Sequence, residues 1–200
     1  GADAVTGFMS YSTFYELGEE IIQNKKGQNY AICSFEIRSL SEISEWYGYS
    51  VLNKVIRYFS DLLKQELPNT LLLARDRNSV FHVLTLLESN DQFMIALDKL
   101  YAKKKVCYED EVILLQFLGG IYFFNDLKVD SISYAIDRAD AARKSVSEKH
   151  HTFALFDDAM ERILNKEKKL ISRMNNALRE DEFKIYMQPK YRLSDEQFVG

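Results

Sequence analysis

Two cysteines in 200 residues make no disulfide framework. Cys33 and Cys107 sit in apolar surroundings without metal-ligand spacing, which points to a reducing, cytoplasmic compartment rather than a stapled secreted scaffold. A membrane-length apolar run is also missing. The longest one, residues 112–124, is interrupted by Gln116, Gly119 and Gly120 and reads as a buried strand. There is no excess of positive charge: at a formal net charge of −4, a nucleic-acid partner would need a local basic patch that the sequence does not supply. The first seven residues lack a starting Met, a basic region and an apolar core, so they read as a cleavage or internal boundary and not as a signal peptide. No membrane contact is expected from this chain.

What is present suits a folded domain. Hydrophobic residues make up 46% and charged residues 28%, enough for one sizeable core, alone or with an appendage. Thr13-Phe14-Tyr15-Glu16 has the form of a capping box and opens a leading helix that Lys25-Lys26-Gly27 stops. Residues 29–37 are nearly all apolar and predict a strand covered on both faces. Ser39-Leu40-Ser41-Glu42 has capping-box form and opens a short helix ended by Gly48, and a longer helix follows, stopped at Pro68-Asn69. Two strand-like runs, 70–74 and 80–87, flank a short polar stretch in the manner of a hairpin. A helix over 91–103, one long strand over 112–124, an Ala-rich helix over 131–149 and a short strand over 152–156 complete the pattern. A long amphipathic helix over 157–179 comes next, and residues 182–187 switch to strand period. The order β-α-α-β-β-α-β-α-β contains the β-α-β-β-α-β pattern of a ferredoxin-like palm. That predicts an α+β fold with a mainly antiparallel sheet flanked by helices, plus a long C-terminal helix and a terminal strand. Fold alone decides nothing about chemistry.

Within that frame Phe35-Glu36-Ile37-Arg38-Ser39-Leu40 is similar to F-D-I-D-x-F, and Ile43-Ser44-Glu45-Trp46-Tyr47-Gly48 stands in the place of F-K-x-I-N-D-x-x-G. Ala74-Arg75-Asp76, Gly120-Ile121 and Ala139-Asp140-Ala141-Ala142 stand where A-R-x, S-I-G-I and A-D-x-A would. In this order and spacing they resemble the GGDEF family, the cyclic-di-GMP synthase fold, over residues 29–156. Ala177-Leu178, Glu182-Phe183, Ile185-Tyr186 and Gln188-Pro189 resemble the opening of an EAL phosphodiesterase domain. The resemblance implies four segments: a leading helix or linker over 1–28, a GGDEF domain over 29–156, a connecting helix over 157–181, and the first strand of an EAL domain over 182–200.

The family's reaction joins two GTP molecules. It needs carboxylates for two divalent metals, glycine amides around the phosphates, and cations against the polyphosphate. Mapped by resemblance, the signature falls on Arg77, Asn78, Ser79, Val80 and Phe81, with both glycines and both acidic residues replaced. Only Glu36 keeps a carboxylate at a family metal position. The guanine-reading residues fall on Ser44 and Asn53, and the phosphate-binding cations on Ser147 and His151. The product-inhibition R-x-x-D falls on Pro68-Asn69-Thr70-Leu71. The resemblance therefore implies a degenerate site with no catalytic residue, no metal, no cofactor and no product site, and a vestigial nucleotide site at Glu36, Ser44 and Asn53.

Plainer readings stand beside these. Glu36 reads more readily as a solvated or paired surface charge beside Arg38 than as a relic ligand. His82 reads as a half-buried packing residue, His150-His151 as a response to a helix dipole, and the charges of 162–173 as the wet face of a helix. The expected function is a non-catalytic regulatory domain. Its expected partners are a following EAL domain, a second copy of the chain, and a weakly bound guanine nucleotide. An active phosphodiesterase in the whole protein and a doubly degenerate cyclic-di-GMP receptor are the alternatives. An active cyclase with a rerouted site is the least favoured reading.

Overall fold

The computed structural model describes residues 2–24, 27–76, 79–103, 105–125, 131–146 and 152–187, the last segment with side chains as far as residue 181. In order the elements are α1 (Tyr11–Asn24), β1 (Asn29–Ile37), α2 (Leu40–Tyr47), α3 (Tyr49–Glu66), β2 (Thr70–Arg75), β3 (Val80–Leu87) and α4 (Asn90–Ala102). They continue with β4 (Lys105–Tyr108), β5 (Glu111–Leu114), β6 (Phe117–Asn125), α5 (Ile132–Lys144), β7 (Phe153–Leu155) and α6 (Asp158–Met187). The main sheet runs β2-β3-β1-β6-β7, antiparallel except for the β6–β7 pair. Among the described residues no helix is long and apolar enough to cross a membrane.

β1 is central, and its period of two explains the apolar run read from sequence. Ala31, Cys33, Phe35 and Ile37 enter a core with Val55, Phe59 and Leu63 of α3 and Leu97 and Leu100 of α4. Tyr30 and Ile32 enter a second core with Phe14 of α1 and Ala135, Ile136 and Ala139 of α5. On that second face, β1 changes character toward its C-terminal end, where Ser34 and Glu36 follow Ile32.

Several sequence expectations are corrected. The run 112–124 is not one strand: Leu115 and Gln116 separate β5 from β6, where the Gln116 carbonyl accepts from the Arg38 amide (2.8 Å). β5 instead folds back on β4 through a turn with Glu109 at φ 53°. Gln116, the polar residue that interrupts the apolar run, marks where the break falls. The expected cap box at Ser39 does not form, since Ser39 lies in the left-handed region (φ 60°) and makes no side-chain cap. α1 begins at Tyr11, two residues ahead of its expected cap, and the Thr13 amide donates to Ser10 Oγ (3.4 Å).

The leading segment forms the expected helix, and it packs into the domain. Residues 1–157 form one compact unit. Phe14 is fully buried, and Glu19 Oε1 accepts from the Ile132 amide at the start of α5 (2.6 Å).

The strand expected over 182–187 is the continuation of α6, which runs unbroken to Met187. A strand needs a neighbour to satisfy its amides, whereas a helix satisfies its own. Glu, Lys and Met support that choice. The EAL resemblance beyond Met187 and the side chains of Phe183, Ile185 and Met187 lie outside what the structure describes.

Candidate functional site

The end of the hairpin and the end of β1 lie side by side: Glu36 is the register partner of Val80, Phe35 of Phe81, and Ser34 of His82. Of the five signature positions, Arg77 and Asn78 lie outside the described residues. Ser79 is nearly buried and sits at φ 59°, a conformation that glycine takes without cost and serine does not. The turn is held by Asp76, whose carbonyl accepts from the Ser79 amide (3.2 Å) and whose Oδ1 accepts from the Val80 amide (2.9 Å). Val80 and Phe81 are buried. Ser44 and Asn53 are half-buried on α2 and α3, helices whose Ile43, Val51 and Val55 pack on the core face opposite to His82 and Ser34. The structure thus brings Glu36 beside the hairpin and keeps Ser44 and Asn53 on a separate helical layer. Ser147, His150 and His151 lie outside the described residues.

α5 crosses β6 so closely that a Cβ at Gly120 would lie 2.0 Å from the Ala139 carbonyl oxygen and 2.2 Å from the Arg143 amide. Ser34 is the register partner of Gly120. The missing side chain therefore seats the last turns of α5 directly over β1, and a polar chain results. Asp140 Oδ1 accepts from Ser34 Oγ (2.6 Å) and from His82 Nε2 (2.7 Å). Arg143 Nε donates to Ser34 Oγ (2.9 Å), its Nη2 lies 3.6 Å from Asp140 Oδ1, and its Nη1 donates to Glu36 Oε2 (2.5 Å). On the far side, the Tyr11 hydroxyl of α1 meets His82 Nδ1.

Electrostatics follow from burial. Desolvation works to raise the Asp140 carboxyl, but the hydrogen bond and charge of His82, the Ser34 hydroxyl and the Arg143 guanidinium hold it below the usual carboxylate range. Burial, with the Asp76 and Asp140 carboxylates adding to it, pushes the Tyr11 hydroxyl up. With Asp140 ionised, His82 Nε2 faces a carboxylate oxygen that can only accept, while the Tyr11 hydroxyl lies against Nδ1. Arg143 bridges two carboxylates from a side chain only 8% exposed, while Glu36 keeps 44% exposure on the outer edge.

One plain reading holds and one needs correction. Glu36 is a paired, part-exposed charge, its partner being Arg143 of α5. His82 is buried rather than half-buried, at 4% exposure, and is tied to a carboxylate 58 residues away. Sequence reasoning did not find Tyr11, Ser34, Asp140 and Arg143 as a set, because no local spacing joins three separate elements. The only visible signal was a polar or charged residue at every second position of an otherwise apolar strand, Ser34 then Glu36. Among the described residues, no three His, Cys, Asp or Glu side chains cluster as metal ligands do.

A family model described as "Diguanylate cyclase, GGDEF domain" matches residues 1–152. The isolated GGDEF domain of TpbB (YfiN) from Pseudomonas aeruginosa superimposes with a TM-score of 0.72 at 18% identity, over 82% of this chain and 99% of that one. The GGDEF domain of DgcB from Caulobacter crescentus, solved with cyclic di-GMP, gives 0.66 at 15% identity, over 77% and 94%. A diguanylate cyclase/phosphodiesterase from Caldicellulosiruptor saccharolyticus gives 0.64 at 14%, over 77% and 91%. These likenesses concern the fold. No curated protein matches the chain.

Proposed function

Because the chain belongs to the GGDEF-domain family of cyclic-di-GMP signalling proteins, we propose that it is a non-catalytic, regulatory member. In this reading Arg143 takes the place that a divalent cation would need. The observation that carries it is the contact of Arg143 Nη1 with Glu36 Oε2 at 2.5 Å. Glu36 is the one carboxylate at a family metal position, and a charge-assisted bond to a nearly buried guanidinium already neutralises it. The positions beside it are Ser79 and Val80, which offer a hydroxyl and a methyl pair where hard cations demand several oxygen ligands. The residues present do not fit a two-metal centre.

The same reading makes a following EAL phosphodiesterase domain the regulated partner. Support comes from Ala177-Leu178, Glu182-Phe183 and Gln188-Pro189, and from a similar fold in a protein described as a diguanylate cyclase/phosphodiesterase. Any guanine nucleotide would be held through Ser44 and Asn53 rather than through its phosphates.

Incubation of the chain with GTP and Mg²⁺ or Mn²⁺, followed by chromatography, tests the proposal. No cyclic di-GMP above a protein-free control is expected. Product formed at enzymatic turnover, and lost in Glu36→Ala, would overturn it.

A further inference from the structure

Among the described residues α6 carries an exposed apolar stripe. Ile163, Leu170, Ile171, Met174 and Leu178 are each 57–60% exposed and recur at helical spacing, with Glu167 in the middle of the same stripe. We propose that a second copy of this chain covers this face, the two α6 helices running antiparallel with Leu170 of one against the partner's Met174.

Charge and size select that arrangement over the parallel one. On a seven-residue repeat, Ile163, Leu170 and Ala177 share one seam position, and Glu167 and Met174 share the other. A parallel pair in register would set Glu167 against the partner's Glu167 inside an apolar seam, two like carboxylates with no cation between them. It would also lay Lys166 against Ile171 and Arg173 against Leu178. In the antiparallel pair, seam positions of opposite type meet, so Glu167 faces the small Ala177 and its carboxylate reaches water. Lys166 then stands beside the partner's Glu180, and symmetry makes that ion pair twice. On the other flank Leu164 meets Leu178, and Ile171 meets its own copy at the axis. The two Arg173 side chains also lie near the axis, on the flank where they extend into solvent. Lys166 and Glu180 are thus complementary only when the two helices oppose, and Asp181, on the seam position of Glu167 and Met174, lies opposite Ile163 at the open end of the pair. This goes beyond the regulatory reading and does not depend on whether GTP is bound or turned over.

Sedimentation velocity over a concentration series tests it on the full chain. A reversible dimer is expected, and Leu170→Asp should yield a monomer with an unchanged circular dichroism spectrum. Lys166→Glu should weaken dimerisation by about tenfold, because two attractive pairs become repulsive. Adding Glu180→Lys on the same chain should restore it. A chain that stays monomeric at high concentration would overturn the proposal and assign the stripe to another partner. A dimer unaffected by Lys166→Glu, or not restored by the double change, would overturn the antiparallel register.

Discussion

Arg143 is the residue on which the polar end of the sheet depends, since it bridges Glu36, Ser34 and Asp140 from a position almost closed to water. Removing one member of a buried charged network leaves the others uncompensated, which costs about 3–5 kcal/mol. Arg143→Ala is therefore expected to destabilise the chain by that order, read from the midpoint of urea unfolding. Glu36→Gln should cost far less, because its carboxylate is half in water. Asp140 sets the acid limit. Its folded pKa is depressed, so its contribution is fully present above the unfolded value of about 4 and is lost as the pH falls through the lower, folded value. Asp3 is also held below the usual range: burial acts to raise it, but the Thr6 amide and then the Arg75 guanidinium outweigh that effect. It adds in the same direction. Stability measured by urea between pH 3 and pH 6 should fall more steeply in the native chain than in Asp140→Asn, and parallel curves would refute the assignment.

At the scale of elements, the approach of α5 to β6 places the network. Gly120→Ala would drive a methyl group into the Ala139 carbonyl and the Arg143 backbone, neither of which can move without lifting the helix. The expected result is loss of cooperative folding, or a drop of several kcal/mol in unfolding free energy. Gly48 is the contrast: it has open space around it but φ 86° and ψ 173°, a nearly glycine-only conformation, so Gly48→Ala should cost about 1–3 kcal/mol from backbone strain alone. Urea unfolding of the two variants separates close packing from conformational preference. α6 shows a different balance. Its 30 residues have strong helix formers along most of their length, so strand period over its last turn yields to a ladder that needs no neighbour.

For the whole molecule, the regulatory reading predicts how nucleotides bind. With the phosphate cations of the family replaced and Glu36 tied to Arg143, recognition would rest on the base through Ser44 and Asn53. GMP and GTP should then bind with nearly equal and weak affinity in calorimetric titration, with or without Mg²⁺. Asn53→Ala should weaken both alike. A strong preference for the triphosphate would show that cations outside Ser147 and His151 reach the phosphates and would refute this prediction.

The palm topology and the family were legible in the residues themselves, because apolar period, glycine spacing and short motifs are local properties that the chain carries wherever it folds. The placing of Ser79 and Val80 at the signature acids rests on that motif spacing alone, and the proposed function rests on it in turn. Sequence did not disclose that Glu36 would pair with Arg143, that His82 would be buried against Asp140, or that Tyr11 would close the chain from α1. Those contacts join residues 58 to 109 positions apart, and the ones made by Asp140 and Arg143 need the close approach of α5 to the sheet that a glycine on β6 allows. Likewise 112–124 read as one strand, because burial is all that an apolar run records, while the break at Leu115-Gln116 is set by a hydrogen bond to Arg38 across the fold. Periodicity and motif come from neighbours along the chain. The charge partners of the site come from neighbours in space, and only the packed structure chooses those.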